Sequence, residues 1–296
     1  MQTLIFGLAY GSMYALLALA IGIVFSTTYI INFAHASVVM AGAMVAYWCI
    51  GVYHLPYLVA LCAGIGVNVV LSILIYKLCV EKLGDLTVNI GWIITLFGAS
   101  LIIDNLALMV FGMQANPFPR LFGDEKIFVF GANIYVHEVV MILIAAVIGI
   151  AYQMMCSKTK FGRGLRAVSA KPQTAKLMGI NSTFMIIVSF VLAGTVAAIA
   201  GCLIAPYTYA SYTMTSSLGM KGFAAALIGG LGNTKGAFIG GITLGLIEQL
   251  LTVMGVSPGF LGAFSFIIMI LVIIFLPGGI LSAKIFTRSR ATTEKI

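Results

Sequence analysis

The sequence has 296 residues, of which 61% are hydrophobic and 8% are charged, and its formal net charge is +8. Soluble domains carry about 25% charged residues, so this composition excludes a soluble enzyme and indicates an integral membrane protein. The cations fall mainly in one loop and in the C-terminal tail, which is typical of cytoplasmic segments, so we predict no nucleic-acid binding. The five cysteines have no Cys-X-X-Cys or Cys/His spacing, so we predict no metal site.

Apolar stretches follow one another along nearly the whole chain. A membrane-spanning helix needs about 20 apolar residues. The eight stretches that come close to this length are 4–25, 38–53, 57–79, 90–111, 139–155, 184–205, 237–254 and 260–281. A further stretch, 218–230, is apolar but short, which is typical of a re-entrant or broken helix. We predict an all-α integral membrane protein, a polytopic bundle of eight or nine transmembrane segments in one domain over residues 1–296.

A basic loop, residues 157–181, separates two of these stretches and contains no acid. Its six cations are Lys158, Lys160, Arg163, Arg166, Lys171 and Lys176. Because each Lys or Arg costs about 2.5–3.5 kcal/mol at the bilayer centre, the loop is predicted to stay in the cytoplasm. Residues 113–137 then form an external loop, and the N-terminus is predicted to lie outside.

The first half of the basic loop has the periodicity of an amphipathic helix. Phe161, Leu165 and Val168 fall on one face at helical spacing, with Arg163 and Arg166 on another. A signal that only fixes topology needs the cations but not an ordered apolar face. We therefore favour a segment that docks onto a cytoplasmic partner, with a pure topology signal as the alternative.

The second half of the loop is predicted to form another short helix. Pro172 separates it from the first, residues 174–178 supply one turn, and Gly179 is suited to a helix C-cap.

Four polar residues within the apolar part of the chain are candidates for a substrate pathway. Asp104 and Glu248 lie inside apolar stretches, where an acid is costly and usually faces a cavity or a partner group. Asn32 and His35 lie in a polar interruption between the first two stretches. A pathway or a proton relay is the functional interpretation; buried structural groups are the alternative for each residue.

Residues 219–245 are rich in glycine and contain a cation, Lys221, which supports a short or re-entrant segment there. Glycines at small-X-X-X-small spacing let helices approach closely, so we interpret this spacing mainly as helix packing. The run GGLGNTKGAF at 229–238 does not match a phosphate-binding loop, so we predict no nucleotide site in this chain.

Several segments resemble the permease subunits of branched-chain amino-acid ABC importers. They are NFAHA at 32–36, GRGLRAVSAKPQTAKLMGINSTFMIIVSFVLAGTVAAIAGCLIAP at 162–206, GMKGFAAALIGGLGNTKGAFIGGITLGLIE at 219–248 and LPGGIL at 276–281. The chain looks most like the shorter of the two permeases of such a system.

The resemblance implies a heteromeric importer in the bacterial inner (plasma) membrane. This chain would be a non-enzymatic, multi-pass permease domain with no cofactor of its own. Its partners would be a second permease subunit, two cytoplasmic ATPase subunits that bind ATP and Mg, and an extracytoplasmic solute-binding protein.

The same resemblance makes residues 157–181 the segment that couples the permease to an ATPase. The positions that match the family there, or belong to the same basic segment, are Arg163, Arg166, Lys171, Lys176, Leu177 and Gly179. The chain departs from the family pattern at Ala36 and Ser37, where relatives have NFAHG followed by an acid, and at Asp104, where many have Gln or Glu.

Two functions follow from the sequence. The first is the permease subunit of an ATP-driven importer for branched-chain or other small amino acids. The alternative is a secondary transporter driven by an ion gradient, with Asp104, Glu248 and His35 handling protons or sodium, because broken helices and midplane acids are typical of that class.

Overall fold

The structure is a computed structural model that describes residues 2–83, 90–129, 132–170, 172–275 and 278–280. Within these ranges the chain is mostly helical. The elements are α1 Gln2–Thr28, α2 His35–Gly51, α3 Tyr57–Ile75, α4 Gly91–Phe111, β1 Lys126–Val129, β2 Ala132–Tyr135, α5 Val136–Lys158, α6 Lys160–Ala170, α7 Pro172–Leu177, α8 Ser182–Thr208, α9 Met214–Gly229, α10 Thr234–Val253 and α11 Pro258–Phe275. A π-helical turn, Tyr76–Val80, and a 3-10 turn, Glu81–Leu83, continue α3.

Each of the eight long apolar stretches forms a helix, and six described helices are long and apolar enough to cross a membrane. These six are α1, α3 with its continuation, α4, α5, α8 and α10. The helices α2 and α11 are apolar but shorter. The predicted count of eight or nine spans is therefore not confirmed by length and composition. The prediction that the chain is a membrane protein is confirmed.

The described part of the chain is mostly helical, as the predicted all-α class requires, and it also contains a short hairpin that the sequence did not predict. Strands β1 and β2 pair antiparallel, with Lys126 opposite Tyr135 and Ile127 opposite Ile134. Each strand has only four residues, too few to show a clear period of two in the sequence. The hairpin leads directly into α5, whose first turn is capped because the Glu138 carboxylate accepts from the Tyr135 backbone N–H.

The helices α1 and α8 form the centre of the bundle. Both are mostly buried, whereas few residues of α4 and α5 are buried. The central helix α1 packs against α10, α8, α9 and α5, and α8 packs against α2 and α3. A helix that is apolar on all sides is typical of such a central position.

Glycines allow α1 and α10 to pack with their backbones in contact. A Cβ atom added to Gly241 would overlap the backbone of Ala15, and one added to Gly245 would overlap Gly11. These pairs also show that the two helices are antiparallel. The glycine spacing at 219–245 is therefore explained, at these two positions, by helix packing.

Residues 113–125, between α4 and the hairpin, are anchored to the end of α8. The backbones of Asn116 and Ala210 form a two-way bridge. The Arg120 guanidinium lies 3.9 Å from the Tyr135 ring centroid and 5.6 Å from that of Tyr207. Burial lowers the pKa of Arg120, but the Tyr207 phenol, Asp124 and Tyr135 raise it, and the net shift is upward.

A second set of contacts fixes the start of α5 against α8. His137 is fully buried, and its Nε2 lies 2.8 Å from the Leu203 backbone oxygen. Tyr207 donates to the Glu138 carboxylate at 3.0 Å. This end of α5 lies about 33 Å from the basic loop at the other end, at 1.5 Å per residue. The two loops that the sequence assigns to opposite sides therefore lie at opposite ends of one long helix.

Candidate functional site

A cavity of about 520 Å³ lies between α4, α9 and the start of α2. Its wall is completed by Ile21 of α1 and by the segment that joins α1 to α2. Its lining residues are Ile21, Ile31, Asn32, Phe33, His35, Ala36, Phe97, Ser100, Leu101, Asp104, Asn105, Leu108, Tyr212, Thr213, Thr215, Ser216, Gly219, Met220 and Phe223. The exposed surface of the lining is mostly apolar, and polar side chains contribute the rest, which is typical of a small-molecule site.

Three of the four predicted pathway residues, Asn32, His35 and Asp104, line this one cavity. Asn32 lies in the break after α1, His35 is the first residue of α2, and Asp104 lies in the second half of α4. The sequence alone does not show this proximity, because Asp104 is far along the chain from Asn32 and His35 and meets them only when the helices pack. The structure therefore brings these three together.

Asp104 carries the acidic charge of the cavity. It is half-buried, and its Oδ1 accepts a hydrogen bond from the Thr215 hydroxyl of α9 at 2.9 Å. The other polar lining groups near it include Asn105 and Ser216. A carboxylate with one hydroxyl partner keeps acceptor sites free for a cationic ligand group.

His35 is the first residue of α2 and is only 4% exposed. Its Nε2 is buried without a hydrogen-bond partner, a costly state for a polar atom inside a protein. Asn32 organises the turn before it, since its backbone oxygen accepts from the His35 N–H at 3.1 Å and its Oδ1 accepts from the Ala34 N–H at 3.0 Å. The orphaned imidazole nitrogen suits a ligand with a complementary polar group.

Glu248, the fourth predicted residue, does not line the cavity. It forms an ion pair with Lys221 of α9, and its other oxygen accepts a hydrogen bond from the Tyr14 hydroxyl at 2.6 Å. Its acidic charge is therefore compensated within the bundle. From the sequence, the cost of a charge in an apolar segment indicated only that Lys221 and Glu248 each need a partner or a cavity, not that they pair with each other.

The basic loop folds as the sequence predicts. The helix α6 buries Leu165 and Val168, half-buries Phe161, and exposes Arg163 and Arg166. Its glycines let it dock closely, because a Cβ at Gly162 would overlap the backbone of Cys156. The predicted site residue Lys171 lies outside the described residues.

The helix α7 ends in a well-formed C-cap. Gly179 has φ +81°, its N–H donates to the Lys176 oxygen at 3.1 Å, and the Ile180 N–H donates to the Ala175 oxygen at 3.0 Å. These two bonds form the Schellman motif that the predicted glycine cap requires. Pro172 begins α7 rather than only preceding it, a position where its missing N–H costs nothing.

The end of α7 presents apolar side chains to its surroundings. Leu177 is 89% exposed and Met178 is 77% exposed, whereas Ala175 is buried against the bundle. Lys176, which lies between Ala175 and Leu177, is also exposed. Two large exposed apolar side chains beside cations on a capped helix are typical of a surface that a partner covers.

Within the described ranges, no group of three or more His, Cys, Asp or Glu side chains could hold a metal ion.

Residues 3–273 match the family described as "Branched-chain amino acid transport system / permease component". This chain belongs to that family. As a family member with six apolar helices long enough to span, the permease is a multi-pass protein of the inner (plasma) membrane. The resemblance of its sequence motifs to branched-chain amino-acid permeases is confirmed.

Individual relatives agree over nearly the whole permease. It is 29% identical over 95% of both chains to the high-affinity branched-chain amino acid transport system permease protein LivH of Salmonella typhimurium. It is 30% identical, over 92% of this chain and 89% of the relative, to the probable branched-chain amino acid transport permease protein LivH of Methanocaldococcus jannaschii. Its fold is similar, with a TM-score of 0.52 and 14% identity over 96% of both chains, to a chain of PsaBC from Streptococcus pneumoniae, solved in complex with a Fab.

Proposed function

We propose that this permease is the membrane-spanning subunit of an ATP-binding-cassette importer that translocates branched-chain or other small amino acids. An extracytoplasmic binding protein would deliver the substrate. The observation that carries the proposal is the cavity that gathers Asn32, His35 and Asp104 in a chain of the branched-chain amino acid permease family.

The chemistry of the cavity suits a small amino acid. The Asp104 carboxylate would accept hydrogen bonds from the substrate ammonium group, and such charge-assisted bonds are about twice as strong as neutral ones. The partnerless Nε2 of His35 would meet the other polar end of the substrate. Phe97, Leu101 and Phe223 supply apolar walls for an aliphatic side chain.

The basic loop supplies the coupling surface of the proposed importer. Arg163, Arg166 and Lys176 are exposed, as are Leu177 and Met178, and the two helices that carry most of them, α6 and α7, pack against each other. A groove with acidic and apolar walls on a cytoplasmic ATPase would fit it. Two such ATPases, binding ATP and Mg, and a second permease would complete the complex, and this chain would hydrolyse nothing itself.

We propose nine crossings for the permease. The short helices α2, α9 and α11 would cross together with the six long ones. Nine crossings place the N-terminus outside, residues 113–137 outside, and both the basic loop and the C-terminal tail in the cytoplasm. That arrangement follows the positive-inside rule, and the antiparallel packing of α1 and α10 fits it.

A secondary transporter driven by an ion gradient is not supported by the comparisons. The pairing of Glu248 with Lys221 and Tyr14 also removes one of the three groups on which that alternative depends.

The proposal is tested by uptake into proteoliposomes that contain the permease with its ATPases, second permease and binding protein. Asp104→Asn keeps the shape of the side chain but removes its charge. It should lower kcat/KM for leucine uptake by roughly 10- to 100-fold, the worth of a hydrogen bond to a charged group. Glu125→Gln, an exposed acid outside the cavity, is the matched control and should change little.

Two results would contradict the proposal. One is uptake that continues when the partner ATPases cannot hydrolyse ATP. The other is wild-type uptake by the Asp104→Asn variant in a complex that assembles normally.

A further inference from the structure

The helix α9 makes polar contacts in two opposite directions. Five cavity-lining residues lie on one side of it: Thr215, Ser216, Gly219, Met220 and Phe223. At about 100° per residue, Lys221 lies on the opposite side of the helix. On the cavity side of α9 the Thr215 hydroxyl donates to Asp104, and on the opposite side Lys221 forms an ion pair with Glu248.

The contacts of Lys221 are enclosed within the bundle. Its side chain is 18% exposed and that of Glu248 is 12% exposed. The Lys221 Nζ also donates to the Tyr14 hydroxyl at 3.1 Å, and that hydroxyl donates to Glu248 at 2.6 Å. The three residues close a triangle between α9, α10 and α1, so the ammonium group has few other positions in which both its charge and its hydrogen bonds are satisfied.

Apolar packing also holds α9 against its neighbours, since Leu218 and Ile228 are both buried. The glycines Gly229, Gly236 and Gly240 let α9 and α10 approach until their backbones touch. The Lys221 ion pair differs from these contacts because it is directional, and it adds a constraint on which side of α9 faces the cavity.

We propose that Lys221, held by Glu248 and Tyr14, is a positioning residue that sets the rotation of α9 and so directs Thr215 towards Asp104 across the cavity. The inference rests on the proposed function, because it gives Lys221 a role in shaping the substrate cavity. Lys221 itself does not line that cavity. Lys221 acts through Thr215, and Thr215 holds the Asp104 carboxylate in place.

The test uses the complete reconstituted importer and avoids leaving a buried charge unpaired. The variant Lys221→Met/Glu248→Gln removes both charges together. It should raise KM for leucine uptake by roughly 2- to 30-fold, the usual range for positions coupled to a site, with a smaller change in kcat. The single variant Lys221→Arg, which keeps the charge, should have a KM for leucine uptake close to that of wild type.

A double-mutant cycle separates positioning from a general structural role. Thr215→Val removes the hydroxyl that contacts Asp104. If Lys221 acts through Thr215, then adding Thr215→Val to the Lys221→Met/Glu248→Gln variant should raise KM little further, because that hydrogen bond is already lost. Effects that multiply would overturn the inference.

Thiol labelling reports the rotation directly. In a cysteine-free background, Ser216→Cys points into the cavity and Ser217→Cys points away from it. Rotation of α9 in the Lys221→Met/Glu248→Gln variant should change the rates of modification by a charged methanethiosulfonate in opposite directions at the two positions. Unchanged rates at both positions would also overturn the inference.

The outcomes keep this inference separate from the proposed function. If Asp104→Asn impairs uptake while the Lys221→Met/Glu248→Gln variant behaves as wild type, the positioning role fails and the transport proposal stands. If Asp104→Asn has no effect, the cavity itself has been assigned wrongly.

Discussion

The hydroxyl oxygens of Ser37 and Ser100 lie 2.7 Å apart, and both residues are buried. This hydrogen bond joins α2 to α4 at the wall of the cavity, because Ser100 lines it and Ser37 follows the lining residue Ala36. The pair is neutral, so it joins the two helices without placing a charge inside the bundle that would need compensation.

We expect the Ser37 and Ser100 hydroxyls to stabilise the protein cooperatively. Ser37→Ala leaves the Ser100 hydroxyl buried without this partner and should cost about 1 kcal/mol. Ser100→Ala should cost less, because the Ser37 hydroxyl can still donate to the Ser100 backbone oxygen at 3.4 Å. The double variant should cost less than the sum of the two. Thermal unfolding in detergent of the two single variants and the double variant measures the coupling. Strictly additive losses would contradict the hydrogen bond.

Ala36 and Gly219 are complementary in size. A Cβ atom added to Gly219 would lie 2.6 Å from the Ala36 Cβ, closer than carbon atoms approach in proteins. Gly219→Ala should therefore destabilise the permease by about 1–3 kcal/mol, the usual cost of overpacking. Ala36→Gly should restore space, so the double variant should unfold at a higher temperature than Gly219→Ala. A double variant less stable than Gly219→Ala would disprove the contact.

The contact between α1 and α10 should tolerate no additional methyl group. Gly241→Ala would place a Cβ against the backbone of Ala15, which cannot move aside as a side chain can. We expect a loss of at least about 1–3 kcal/mol and a reduced yield of folded protein. Gly98→Ala on α4 is the matched control, since nothing lies within 4 Å of that position and alanine favours a helix. Equal stability of the two variants would be the contrary result.

The basic surface of α6 should determine whether an ATPase remains bound. Changing Arg163 and Arg166 to Glu reverses two exposed charges. The change at Arg163 should cost less than about 0.5 kcal/mol of folding stability, whereas the change at Arg166 also removes a hydrogen bond to the Cys156 backbone oxygen and should cost about 1 kcal/mol. Copurification of the ATPase should nevertheless fall sharply. Lys295→Glu, in the C-terminal tail, adds the same kind of charge change and should have little effect. Equal ATPase recovery in all variants would leave the loop as a topology signal.

Arg120 should hold residues 113–125 against the end of α8. Arg120→Gln removes the cation that lies over Tyr135 and Tyr207, contacts worth about 0.5–2 kcal/mol each. Limited proteolysis from the external side should then cleave within 113–125 faster than in wild type. Lys126→Gln, which lies farther from Tyr135 at 5.0 Å, should cause a smaller increase. Identical cleavage rates would show that the backbone bridge at Asn116 suffices.

Helix positions were predictable because apolar length is a local property of the sequence. The largest errors in helix starts occur where polar residues begin a helix. The helix α9 starts at Met214 rather than at 218, because its first turn contains Thr and Ser. Similarly, α2 starts at His35 rather than at 38, which places the imidazole on the helix instead of in the preceding loop.

Pairings between distant residues were less predictable because they depend on which helices become neighbours. Asp104 and Thr215 are 111 positions apart, and Tyr14 and Glu248 are 234 apart. The cost of an intramembrane charge correctly identified Asp104 and Glu248 as special. That cost could not show that Glu248 is compensated by Lys221 while Asp104 faces a cavity.

The capped helix α7 has a mechanical consequence. Its C-terminal carbonyls are bonded by the turn at Gly179, and the Ser182 hydroxyl at the start of α8 donates to the Pro172 oxygen at 2.9 Å. The helix α7 is therefore held rigidly against the start of the long helix α8 and is not a flexible linker. A displacement imposed at Leu177 would be carried into α8, and from there into α2, which touches α8 at Gly42 and Ala198 and begins with His35.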